Sequence, residues 1–429
     1  MKRFILLIVV FLLGVITTAQ AEEAVTLKIA NDDSFIDNVL ASTEIISNPI
    51  LQVPMEQDNE EQFNIQNRSA LLDYEPETKQ TSKFFLNNVI TQTARDVYNL
   101  KIEQNTVPEP LLKDRLTFNF EKGPLDSVHL WSAYQMNFLS VMPERGDSDT
   151  TFDFGFINVL IDGKLKGGKE NFRIMLDPTH RHNHQNFMQT FFQDLFVETH
   201  RIPHHTILIG NSRPGVGVEG AQSPYTLAFL NRSQLSRNLS NARKLGVRLR
   251  GDYSLVDYDL GLYSSATNFT DFFPGQEVDA WLNLKPLGKT DGKYGHLTTG
   301  AGVQAGERHG TSYNVTGAYV GYDYKKFWTK FEYADANGSN GGSGLTRNHS
   351  QGFFVTLAYR LTQKLEVLAR FDDFDSDKNI KHNNQKEYTL GANYYIKGQA
   401  LKLIFNYIYC QNDAKVDSHK LMVGTQIIL

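Results

Sequence analysis

Seven cations fall close together in one stretch of the chain: Arg213, Arg232, Arg237, Arg243, Lys244, Arg248 and Arg250. Arginine stays charged and presents a planar fork of donors that fits phosphate or carboxylate oxygens. Rings of Arg or Lys are the device by which pores favour anions, because a narrow passage strips an ion of part of its water. The chemistry open to this set is reversible anion coordination, with no bond made or broken. Other candidate groups offer less. His180, His182 and His184 alternate in one connection and His200, His204 and His205 crowd another, but neither cluster has an acid or Cys at the usual ligand spacing. They read as solvated loop residues, and no metal or other cofactor is expected. The sequence carries neither Gly-x-Ser-x-Gly nor His-Glu-x-x-His, and His129 has no identifiable partner, so the expectation is not an enzyme.

The elements that must position the cations are a long connection, 211–243, and the run that follows it. A structureless connection of that length inside a folded domain is normally a functional loop or a sign of misread elements. From residue 244 the pattern alternates: Leu245, Val247 and Leu249 take one face, Lys244, Gly246, Arg248, Arg250 and Asp252 the other. The same period-two pattern gives candidate strands at 127–141, 152–161, 169–177, 186–199, 204–210, 244–252, 255–265, 278–286, 293–304, 311–322, 325–334, 350–360, 363–372, 386–396, 400–410 and 418–429. Connections after every second strand are mostly tight, as at 252–254, 323–324, 361–362 and 397–399. The intervening ones are mostly long, as at 177–185, 211–243, 267–277, 336–350 and 373–386. An even strand number with short turns at one end and long loops at the other predicts an all-β fold, a transmembrane antiparallel β-barrel of about 16 strands closed without edges.

In that frame 211–243 is the third outer loop, and the basic face of strand 244–252 points to the lumen, since Arg or Lys on the lipid face costs roughly 2–4 kcal/mol at mid-bilayer. Asp194, Glu198, Asp257, Asp259, Glu332, Glu366 and Glu387 have inward parity too, so the cations can bind passing anions, neutralise these acids, or do both. Tyr322, Tyr324, Phe327, Tyr333, Tyr359 and Phe371 suit aromatic girdles. The Gly-rich run starting at Asn337 reads as a flexible outer loop rather than a phosphate cradle, because no Gly-Lys-Ser or helix pattern follows.

The rest of the chain fits export. Lys2 and Arg3, an apolar run over 4–16 and an Ala-x-Ala site ending at Ala21 predict a signal peptide over 1–21. No later stretch approaches the roughly 18–20 consecutive apolar residues of a membrane helix. A net charge of −5 gives no support to nucleic-acid binding, and one cysteine, Cys410, excludes an internal disulfide framework. Residues 22–115 are acidic, amide-rich and free of glycine, with a loose helical pattern through Phe85, Val89, Val97 and Leu100; they read as a flexible or partly helical periplasmic extension, and 116–429 as the barrel. Leu116, Phe118 and Phe120 alternate, and a short strand there has two readings, part of the first strand or a plug element; an even total requires that it add no separate crossing. The last strand puts Leu421, Val423, Thr425, Ile427 and Leu429 on one face, ending on Leu429 where outer-membrane barrels commonly end on an aromatic.

At Arg232-Ser233, Arg243-x-x-Gly-Val and Leu249-Arg250-Gly251 the chain resembles the loop-to-strand passage of the phosphate-selective porin O and P family. It resembles that family's closing strands more specifically, through Leu368-Ala-Arg-Phe-Asp-Asp-Phe-Asp-Ser-Asp, Glu387-Tyr-Thr-Leu-Gly-Ala-Asn-Tyr-Tyr-Ile-Lys-Gly and Leu401-Lys-Leu. Asn231 stands where family members often have an acid. The resemblance spans roughly 125–429 and implies a sixteen-stranded barrel in the bacterial outer membrane, usually a homotrimer, with the third outer loop bent into the pore and anions passing through it. The function expected is passive diffusion of small hydrophilic solutes through a water-filled pore narrowed by 211–243, with outer-membrane lipid and solutes as partners. A structural or adhesive barrel, and below it an outer-membrane hydrolase, are the alternatives.

Overall fold

The computed structural model describes residues 110–429, apart from 179–190, 241, 268, 270 and 272. The predicted signal peptide, the predicted extension up to residue 109, and His180, His182 and His184 lie outside the described residues. The strands are β1 (Thr117–Asn119), β2 (Leu125–Pro143), β3 (Asp149–Leu165), β4 (Glu170–Leu176), β5 (Phe192–Thr199), β6 (His205–Ser212), β7 (Lys244–Asp252), β8 (Val256–Ser264) and β9 (Gln276–Leu284), followed by β10 (His296–Arg308), β11 (Thr311–Tyr324), β12 (Phe327–Gly341), β13 (Gly344–Arg360), β14 (Leu365–Asp375), β15 (Asn384–Lys397), β16 (Leu401–Asn412) and β17 (Ser418–Ile428).

From β2 to β17 each strand pairs antiparallel with the next, and β17 returns to pair with β2, Ile428 opposite Ala133. Sixteen strands therefore close on themselves and no long edge is left open. The first strand, β1, adds no crossing: its three residues pair with the start of β2, Thr117 opposite His129, on the side of β2 that β17 vacates beyond Ala133.

The period-two sequence pattern is what makes this closure stable. On β14, Glu366, Leu368, Arg370, Asp372 and Phe374 are all buried inward while the residues between them face out. The outward sets are apolar and exposed, as at Leu262 (55%) and Leu390 (60%). An exposed apolar band of this extent would be a liability in water and is the expected lipid-facing surface of a membrane barrel. An aromatic file runs across its loop end: Phe331 to Phe353, Phe353 to Phe371, Phe371 to Tyr388 and Tyr388 to Tyr409 have ring centroids 6.0, 5.7, 4.9 and 6.0 Å apart.

One expectation changes. The Gly-rich run from Asn337 is no flexible loop: β12 continues through Gly341, β13 starts at Gly344, and only two residues join them. A bulge between Asn337 and Ser339 absorbs the register slip, so the ladder extends where loop composition hides it. The β10–β11 connection is equally tight, at 309–310.

Candidate functional site

Residues 213–243 leave β6 and return to β7, yet their partners lie on distant strands. The loop holds two short helices, α1 (Val218–Ala221) and α2 (Gln234–Leu239). Gly217, with φ of 63°, starts the crossing; a Cβ there would sit 2.8 Å from the Glu332 carboxylate, so only glycine lets the backbone come this close. Glu332 on β12 then accepts the amides of Val218 (2.9 Å) and Glu219 (3.3 Å). Further along, Gln426 on β17 donates to the Tyr225 carbonyl, Lys402 on β16 to that of Leu227, and Asn393 on β15 to that of Ala228. The Tyr225 hydroxyl donates to Asn158 on β3 (2.9 Å), Leu230 donates its amide to Asn406 on β16, and Gln234 donates its amide to Asp372 on β14. These acceptors and donors lie on inward faces, so the loop crosses the barrel interior.

Its irregular backbone is thus satisfied by wall side chains, as buried peptide groups require. Helix α2 is capped by Ser233, whose Oγ accepts the Ser236 amide, and its end rests on the β12–β13 hairpin. There Gly342 donates to the Ser240 carbonyl (2.6 Å) and Ser343 donates its hydroxyl to Asn238 Oδ1 (2.6 Å). A Cβ at Gly341 would lie 2.4 Å from the Leu239 carbonyl carbon. Gly341→Ala should therefore push loop and hairpin apart and lower stability by about 1–3 kcal/mol, the usual cost of overpacking, measurable as a lower unfolding temperature in detergent.

The seven predicted site residues divide by what they touch. Arg237 bonds both oxygens of Glu387 at 3.0 Å, Arg243 bonds Asp194 (2.6 Å) and Gln193 (2.7 Å), and Lys244 bonds Glu277. Arg248 grips Asp259 through Nε (2.8 Å) and Nη2, and Arg250 reaches Glu198 at 3.0 Å. Arg232 is spent on backbone: it donates to the carbonyls of Glu219 and, at 2.7 Å, Gln222, and burial pulls its pKa down to about 10. Arg213 is different. Its guanidinium has no acid within ion-pair distance among the described residues, and its Nε is enclosed with no hydrogen-bond partner. Burial, then the neighbouring charges of Arg243 and Arg232, hold its pKa well below the usual guanidinium value.

Sequence reading placed Asp194, Glu198, Asp259 and Glu387 inward by parity, and these are the acids that Arg243, Arg250, Arg248 and Arg237 meet; Glu277, the partner of Lys244, was not among those it placed. It passed over Glu219, Lys330 and Arg370. Glu219, on the loop, accepts the Ser233 amide and lies 3.7 Å from Lys330 on β12 and 3.5 Å from Arg370 on β14. Burial opposes its charge, but these two cations prevail and hold its pKa at about 2. Arg370 also donates to the Asn231 carbonyl (3.0 Å) and covers the Phe229 ring at 4.6 Å. Lys330 stands two residues before Glu332 and Arg370 two before Asp372, so inward parity was the signal available for both.

The described histidines have local duties. His200 meets Glu198 and Thr206, His205 contacts the Tyr258 hydroxyl at 2.6 Å, and His204 stacks on Tyr253 at 4.9 Å. Among the described residues no group of three or more His, Cys, Asp or Glu could hold a metal ion.

Comparisons with known proteins agree with this architecture. Salmonella typhi OmpF in complex with daunomycin is similar at 12% identity and a TM-score of 0.51, over 71% of this chain and 98% of that one. The anion-selective porin from Comamonas acidovorans is similar at 12% identity and a TM-score of 0.50, over 70% of this chain and 99% of that one. A loop L8 deletion mutant of OmpT, an outer membrane protein of Vibrio cholerae, gives 12%, 0.50, 70% and 99%. At such identities the likeness speaks for the fold. No curated protein matches in sequence. Residues 291–428 match the family model described as phosphate-selective porin O and P. On this sequence match and this closed sixteen-strand fold, the chain is an outer-membrane porin-like barrel whose closing strands carry the signature of the phosphate-selective porin O and P family.

Proposed function

We propose that the protein is a passive outer-membrane porin, that residues 211–243 narrow its water-filled lumen, and that small hydrophilic solutes diffuse past them with a preference for anions such as phosphate. The observation that carries the anion preference is Arg213, whose guanidinium has no acid within ion-pair distance among the described residues: Asp194 acts on it only from farther off, while its neighbours Arg232 and Arg243 are also cationic. Buried like charges repel and a cation without a partner is costly, so a passing anion relieves both. The paired cations, Arg237, Arg243, Lys244, Arg248 and Arg250, shape the loop and wall around it. Diffusion needs no bond chemistry, hence neither cofactor nor catalytic residue. The residues before the barrel belong to the periplasm on this reading, and the working unit is a homotrimer, which light scattering of the solubilised protein would weigh. Liposome swelling tests the channel itself: protein-loaded liposomes should swell in an isotonic neutral sugar much faster than empty ones, and equal rates would end the reading.

A further inference from the structure

We propose that segment 110–120, ahead of the first crossing, is a strap that anchors the barrel seam in the periplasmic leaflet of the bilayer, its partner being phospholipid. The seam is where β2 and β17, the two ends of the barrel, meet. The strap is tied to both. Leu111 donates its amide to the carbonyl of Ile428 on β17, and Leu130 on β2 donates to the Leu116 carbonyl, each at 3.0 Å. Then β1 pairs with β2, and the Phe120 amide donates to Asp126 at 2.9 Å. A single helical turn (Lys113–Arg115) is braced by the Thr117 hydroxyl on the Lys113 carbonyl, at 2.7 Å.

Register decides which way the strap faces. Phe118 is opposite Val128, which has the same parity as the outward Leu130, so Phe118 and Phe120 continue the lipid-facing side of β2. They are 49% and 42% exposed, and Leu111 and Leu112 beside them 40% and 36%. This rim elsewhere carries outward tyrosines, Tyr253, Tyr359 and Tyr394 among them. At the seam, the last strand offers Ile427 and Leu429, and β2 offers Val128, Leu130 and, opposite Ile427, the half-buried Tyr134. The strap therefore supplies, from outside the crossings, the aromatic residues that the terminal strand lacks. Aromatic rings favour the membrane–water interface, and exposed Lys113, Arg115 and Lys122 can lay their stems along the apolar side and turn their charges to lipid phosphates. Continuity with the lipid-facing band is what commits the surface to lipid.

Tryptophan fluorescence reads this directly. Phe118→Trp protein in vesicles should show an added blue-shifted emission that acyl-brominated phospholipid quenches several-fold more than it quenches the native Trp131, Trp281 and Trp328, all buried on the inner side. Added emission typical of water and equal in brominated and plain lipid overturns the proposal. Should Phe118→Trp not assemble, Phe120→Trp in the same vesicles decides by the same two outcomes.

Discussion

Glu219→Ala should loosen the inward loop, lowering the unfolding temperature in detergent and giving larger, noisier single-channel currents. The carboxylate ties the loop to two wall strands at once: it faces Lys330 on β12 and Arg370 on β14 and accepts the amide that opens α2. Removing one partner of a buried charge cluster costs about 3–5 kcal/mol, because the remaining cations stay buried and undercompensated. Arg370 keeps Asp372, and Lys330 keeps the Gln222 side chain, which argues for the low end, about 3 kcal/mol. Glu219→Gln, which retains an acceptor for Ser233, should lose less. The pH dependence has a definite sign. The folded pKa, about 2, lies below the ordinary 4.5, so the carboxylate contributes its full stabilisation above pH 4.5 and loses it as pH falls through 2. Currents should be steady from neutral pH down to 4.5 as far as this group is concerned, with loosening confined to the interval below. Loosening already complete at pH 5 would contradict the assignment.

Arg213→Gln should leave the barrel and loop intact and cut the anion-to-cation permeability ratio. Among the described residues the side chain has no ion pair to lose, and its backbone carbonyl, which accepts from Arg248 at 2.8 Å, is kept. A loss of about 1 kcal/mol of attraction on a passing anion corresponds to about a fivefold lower ratio. Arg243→Gln is the contrast. It strips Asp194 of its partner at 2.6 Å, so its first effect should be on stability. If Arg213→Gln leaves the ratio unchanged while unfolding temperature stays constant, Arg213 has no part in selectivity.

Most of the barrel was legible because strand parity is a local property: β7 begins and ends where alternation placed it, at Lys244 and Asp252, and the connection before it is the third loop. The Gly-rich hairpin was not legible, because glycine composition signals a turn whether or not the backbone pairs, and the hairpin's contact with Leu239 and Ser240 joins residues distant in sequence. Site residues followed the same division. That Arg248 and Arg250 would meet inward acids could be read from parity, whereas the partner of Arg237, and which cation would be left without an acid, depend on the path of the loop between Arg213 and Arg243. Glu219 was missed for that reason too, since a loop residue has no parity and its partners on β12 and β14 are distant in sequence.

The measurement that bears most directly on the account is the reversal potential of the purified protein in a planar bilayer between unequal potassium chloride solutions. Stepwise conductance that reverses toward the chloride equilibrium potential is the expected result. Absence of steps, or reversal toward the potassium potential, would contradict it.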